Sequence, residues 1–111
     1  MIPIFIGMLD ESLPRKLKNV FGPEHNVLTV RDMAWLGEKN GALLKLMLAE
    51  DFEIFVTPDR NLSYQQNTSK FSLTIVVLIG IDNRFETLSK LIPALLIKLK
   101  ENPLPGLLEI S

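Results

Sequence analysis

The chain has no cysteine. A disulfide scaffold, a thiol nucleophile and a cysteine-ligated metal are therefore excluded, and a reducing compartment is consistent. It has one histidine, His25, so the usual zinc ligand sets are missing and no Ser-His-Asp arrangement is suggested. It has no charge excess: 12 basic residues stand against 13 acidic ones. Nothing global draws it to nucleic acid or anionic lipid, and any nucleic-acid contact needs a local basic patch. There is no Gly-rich phosphate loop; Gly7, Gly37, Gly41 and Gly80 are isolated. No apolar run reaches membrane-spanning length, because Asp82 and Asn83 close the strongest candidate. The first residues are apolar but lack a basic n-region and soon meet Asp10-Glu11, unlike a secretory signal. No membrane association and a cytoplasmic location are expected.

What is present is apolar. With 111 residues and 47% hydrophobic content, residues 1–111 are expected to form one domain with a real core. Five segments read as strands: Ile4–Leu9, Asn26–Val30, Phe52–Thr57, Ser72–Ile79 and, as a short edge strand, Leu107–Ile110. The run from Leu73 to Ile79 is apolar apart from Thr74, as in a strand covered on both faces. Helices are expected between them. One follows a Ser12 cap and Pro14, buries Leu13, Leu17, Val20 and Phe21, and stops at Gly22-Pro23. Its Arg15, Lys16 and Lys18 read as a solvated face. A second begins with Asn40 as cap and packs Leu43, Leu44, Met47 and Leu48. A third runs from Arg84 to Glu101 with a kink at Pro93. Residues 61–67 are expected to form a loop or irregular helix over the strand tips. His25 reads as a turn residue and Trp35 as a core or interface anchor.

This alternation implies an α/β fold with a mostly parallel central sheet of about four to five strands. A strand order of 2-1-3-4 at its centre would bring Asp10 and Asp59 side by side at the topological switch point. Both acids follow buried-strand patterns, Ile4–Leu9 and Ile54–Thr57. Four strand ends carry an aspartate: Asp10, Asp32, Asp59 and Asp82. Arg31, Arg60 and Arg84 stand close by in sequence. Clustered carboxylates repel unless a proton or cation intervenes. Mg²⁺ or Mn²⁺ would answer that need, activate water and stabilise displacement at phosphorus, with arginines on the flanking phosphates. Asp32 and Asp82 are also ordinary turn and cap residues, and that reading is preferred for them. Function is preferred for Asp10 and Asp59.

At these residues the chain resembles a known family. Leu9-Asp10-Glu11-Ser12-Leu13-Pro14, Val30-Arg31-Asp32-Met33 and Val56-Thr57-Pro58-Asp59-Arg60-Asn61-Leu62 resemble blocks of the small PIN-like proteins of unknown function. Those are grouped with the toxin-type PIN ribonucleases of bacteria and archaea. Lys39-Asn40-Gly41-Ala42-Leu43-Leu44, Tyr64-Gln65-Gln66-Asn67 and Asn83-Arg84 also fit, so the resemblance spans nearly the whole chain. It implies a PIN-like three-layer α/β sandwich and a divalent-metal ribonuclease site with Asp10 and Asp59 as ligands. Glu11 or Asp82 would assist, while Arg31, Arg60, Arg84, Asn40 and Tyr64 would contact RNA. It also implies a small antitoxin protein as partner. One departure matters: these nucleases usually carry a further acid at the start of the helix that here begins near Asn40, which is neutral.

Three functions are carried forward: a metal-dependent ribonuclease, a catalytically silent PIN-like binding module, and an interaction subunit. A homodimer is expected, because the last helix is apolar over much of its circumference and one sheet face cannot cover Ile97 as well.

Overall fold

A computed structural model describes residues 6–22, 25–38, 40–59, 73–101 and 107–111. Five strands form one sheet: β1 (Ile6–Leu9), β2 (Asn26–Thr29), β3 (Ile54–Thr57), β4 (Thr74–Leu78) and β5 (Leu107–Ile110). Their order is β2-β1-β3-β4-β5, and every pairing is parallel. The chain therefore crosses from β1 outward to β2, then back past β1 to β3. The point where the direction reverses lies between β1 and β3. In β1–β3 the register sets Leu9 beside Val56.

Apolar side chains cover both faces of the sheet, which is why its central strands lack alternation. On one face, α1 (Asn40–Ala49) packs Leu43, Leu44 and Met47 against Met8, Phe55, Ile75 and Val77. Trp35 is half-buried there and meets Phe52 edge-on, with ring centroids 6.0 Å apart. On the other face Leu13, Leu17 and Phe21 join Leu88, Ile92, Leu95 and Leu99 over Val56, Val76 and Leu78. Val76 and Val77 point to opposite cores, with 0% and 3% of their surface exposed.

Two helices differ from expectation. Residues Arg15–Val20 form a 3-10 helix rather than an α-helix. The segment is only six residues long and Pro14 precedes it without a side-chain cap. Gly22, with φ 100°, turns the chain out beyond it. So short a segment has little room for α-type ladder bonds, and the tighter coil still buries the same stripe. The expected long helix from Arg84 to Glu101 is two helices, α2 (Phe85–Ser89) and α3 (Ile92–Glu101). Pro93 explains the break. It has no N–H for the Ser89 carbonyl four residues back, and its ring would collide with that carbonyl. The first helix therefore ends at Ser89, and Pro93 falls in the first turn of α3, where no donor is required. No helix among the described residues is long and apolar enough to cross a membrane.

The end of α1 contains a correctable strain. Phe52 N–H donates to the Met47 carbonyl at 2.9 Å and Asp51 N–H to that of Leu48 at 3.2 Å. This is a helix-terminating motif that needs a left-handed residue, and Asp51 supplies it at φ 62°. Its carboxylate also sits at the negative end of the helix dipole. Asp51→Gly should raise the unfolding free energy by about 0.5–1 kcal/mol. The expected reading is a higher urea midpoint at an unchanged slope.

Candidate functional site

The site begins where β1 and β3 end. The N–H of Asp10 donates to the Val56 carbonyl at 2.9 Å, so the ladder continues one residue past β1. The chain then turns, with Leu13 N–H donating to the Asp10 carbonyl at 3.0 Å. This fixes the Asp10 backbone on the sheet while its half-buried side chain faces the tip of β3.

Both carboxylate oxygens of Asp10 have donors. Oδ1 accepts from the N–H and the hydroxyl of Ser12, each at 3.1 Å. Oδ2 accepts from the Thr57 hydroxyl at 2.6 Å, a short charge-assisted bond. Thr57 is completely buried, so its hydroxyl must be served within the protein. It is: while donating to Asp10 it accepts from the Asp59 N–H at 3.1 Å. One hydroxyl thus couples the Asp10 side chain to the backbone that carries Asp59. Asp59 is half-buried in its turn.

Thr57 is the residue that sequence reasoning missed. The available signal was a hydroxyl closing the apolar run Ile54-Phe55-Val56 immediately before Pro58-Asp59. Ser12 also differs from expectation. The 3-10 helix has no side-chain cap, and the Ser12 hydroxyl turns back to Asp10 instead. A carboxylate two residues upstream is a stronger acceptor than the Ser12 hydroxyl, so it closes the turn and leaves no role for Ser12 as a cap.

The other two strand-end aspartates serve turns. Asp32 Oδ2 accepts from Thr29 N–H at 2.9 Å, and Asp32 N–H donates to Thr29 Oγ1 at 3.0 Å. Lys18 Nζ adds an ion pair at 3.1 Å, tying the 3-10 helix to the end of β2. The Thr29 backbone bond, helped by Lys18, holds the Asp32 carboxyl below its ordinary value of 3.8 against the opposing effect of burial. Asp82 is lowered as well, first by the Thr87 side chain and then by Arg84 N–H, which donates to Oδ1 at 3.0 Å. Asp82 thus fastens the entry to α2.

A depressed native value has a definite sign. Asp32 contributes stability that is complete above about pH 5 and is lost as pH falls through its lowered native value. Wild type should therefore lose melting temperature on acidification more steeply than Asp32→Asn, and the two curves should converge at low pH. Parallel curves down to about pH 2 would contradict the assignment.

Glu11, Arg31 and Arg84 are exposed. Arg31 follows β2 and Arg84 precedes α2 after β4, so the order β2-β1-β3-β4 places them on either side of Asp10 and Asp59. Asn40 is the first residue of α1, on the crossover that leaves the β2 tip; its side chain lies outside the described part. Arg60, Tyr64 and the expected loop or helix at 61–67 also lie outside the described residues. His25, expected in a turn, precedes β2 and is buried at the end of the sheet away from Asp10. Among the described residues, no three His, Cys, Asp or Glu side chains group to hold a metal ion. Compared with protein-family models, with curated proteins and with solved structures, the chain matches none.

Proposed function

We propose that the chain is a divalent-metal-dependent ribonuclease of the PIN-like type, hydrolysing RNA phosphodiesters. The observation that supports it is the Asp10–Thr57–Asp59 linkage at adjacent tips of parallel strands, at the switch point where α/β sheets bind ligands. The donor set suits Mg²⁺ or Mn²⁺. These ions accept one or two carboxylates, keep several waters and take phosphate oxygens for the rest. When bound, such an ion lowers the pKa of water and offsets charge developing on the phosphate. Asp10 and Asp59 would hold it. Thr57 and Ser12 fix the Asp10 carboxylate in one orientation before any ligand arrives. Arg31 and Arg84 flank the site and supply planar, two-pronged donors for neighbouring phosphates.

A second reading, the silent PIN-like module, is favoured by a different observation. Asp32 and Asp82 are engaged in turns, and no third acid joins the pair among the described residues. Thermal melting with and without Mn²⁺ separates the two. A metal bound only by the folded state at a hundred times its dissociation constant adds about 2.7 kcal/mol. No shift at millimolar Mn²⁺, together with no cleavage of unstructured RNA, would leave the silent module. The ribonuclease reading includes a small antitoxin protein as partner, and a second copy of the chain is proposed to cover α3, where Ile97 is 55% exposed. Light scattering should give a dimer for wild type and a monomer for Ile97→Lys.

A further inference from the structure

In an asparagine followed by glycine, the side-chain amide is open to attack by the next backbone nitrogen. Glycine has no Cβ to hold that nitrogen away, and its backbone is the least restricted of any residue. The chain has seven asparagines, and only Asn40 precedes a glycine. We propose that Asn40-Gly41 is a site of spontaneous deamidation, which turns the first residue of α1 into an acid.

The fold leaves the pair accessible to this reaction. Gly41 is the second residue of α1, and the first four N–H groups of an α-helix have no carbonyl within the helix to bind. The Gly41 nitrogen is therefore not held by the helix ladder. Residues at a helix end also leave helical geometry at less cost than those in its middle. Asn26, by contrast, lies within β2 and precedes a β-branched valine.

The reaction balances with water alone. The Gly41 nitrogen attacks Cγ of Asn40, the Cγ–Nδ2 bond breaks, and the proton of the attacking nitrogen leaves with Nδ2 as ammonia. The new C–N bond closes a cyclic imide. One water then opens it. Cleavage at Cγ gives aspartate, and cleavage at the main-chain carbonyl gives isoaspartate. Either product carries a new carboxylate, so the formal net charge falls by one from its present -1.

The added charge has a favourable place. α1 has no acid in its first turn, and a carboxylate there meets the positive end of the helix dipole. α1 leaves the tip of β2 and returns to the start of β3, so the charge joins the end of the sheet that carries Asp10. With age the protein gains negative charge at that end, whether or not the strand-tip site cleaves RNA.

Peptide mass spectrometry tests the proposal, with native and urea-unfolded samples of the full chain held for days at mildly alkaline pH. An acidic form should accumulate in the native sample, with its mass change confined to residues 40–45. One of its two components should coelute with Asn40→Asp on anion exchange. Gly41→Ala should slow the conversion about tenfold or more, because a Cβ at 41 hinders the attack. Alanine is the better residue within a helix, so this variant keeps its fold. Conversion in the unfolded sample only, earlier conversion at another asparagine, or an undiminished rate in Gly41→Ala would overturn the proposal.

Discussion

Val76→Asp should leave essentially no folded protein in water at 25 °C. Val76 is fully buried in β4 and has ladder partners on both sides, Val56 in β3 and Leu108 in β5. Its side chain lies in the core formed with the 3-10 helix, α2 and α3. The substitution forfeits about 1.5–3 kcal/mol of apolar burial. It also places a carboxylate among Leu and Ile side chains, with no cation in that core among the described residues, which adds several kcal/mol whether the group ionises or is forced to stay protonated. The sum rivals the 5–15 kcal/mol typical of a whole domain. Val77→Asp should be comparably severe, because Val77 lies in the other core, against α1. Val76→Ala separates loss of volume from burial of charge and should cost roughly 2 kcal/mol. Circular dichroism and urea unfolding read all three. Cooperative, wild-type unfolding of either aspartate variant would mean that β4 is not covered on both faces.

The severity at both positions reflects the same feature that made the sheet legible. A strand covered on both faces must be apolar at consecutive positions, so Ile54–Thr57 and Thr74–Leu78 stand out without any alternation. Strands alternating with helical stripes then imply parallel pairing, and once β1 and β3 are neighbours Asp10 and Asp59 follow adjacent strand tips. Helix pitch was less legible. Leu13, Leu17, Val20 and Phe21 mark a buried side but are compatible with either an α or a 3-10 coil. Only the short span between Pro14 and Gly22 decides between them. At Pro93 the chemistry was legible and its position was not. The effect of a proline falls on the carbonyl four residues earlier, so the helix broke after Ser89 rather than kinking at the ring. Thr57 was illegible for a different reason. A threonine ending a strand is ordinary by itself. Its role depends on register, which sets it opposite the residue after Leu9, and register is a property of two distant segments. Asp32 and Asp82 show the converse. Their sequence surroundings, Thr29 three residues before and Thr87 five after, already contain the partners that engage them.

Asp10→Asn and Asp59→Asn should each abolish metal-dependent RNA cleavage, and their stability effects should show how the site is built. Each substitution preserves size and removes one negative charge, and a neutral amide is a far poorer ligand for Mg²⁺. Activity should fall by more than about a hundredfold, the upper range for groups that merely support a metal ligand. For Asp10 the fold is affected as well. Both of its oxygens accept hydrogen bonds, from Ser12 on one side and Thr57 on the other. An asparagine there must turn its NH₂ toward one of them. Toward Ser12 it meets a backbone N–H, donor against donor. Toward Thr57 it meets a hydroxyl that already accepts from Asp59 N–H, and that hydroxyl loses the acceptor for its own proton. Either orientation leaves a donor unserved, at a cost of about 1–2 kcal/mol. Thr57→Val provides the complementary test. It leaves the carboxylate charge in place but removes the bond that orients it and the acceptor for Asp59 N–H. It should destabilise by about 1–3 kcal/mol, weaken Mn²⁺ binding and lower cleavage without eliminating it. A ribonuclease therefore shows graded loss, with Thr57→Val between wild type and the two asparagine variants. A silent module shows the same ranking of melting temperatures for Asp10→Asn and Thr57→Val, with no Mn²⁺ response in any of them. Melting in the presence of Mn²⁺ and cleavage of a labelled RNA, measured on the same four proteins, separate stability from chemistry. An Asp10→Asn protein that cleaves at the wild-type rate would remove the strand-tip site from the mechanism.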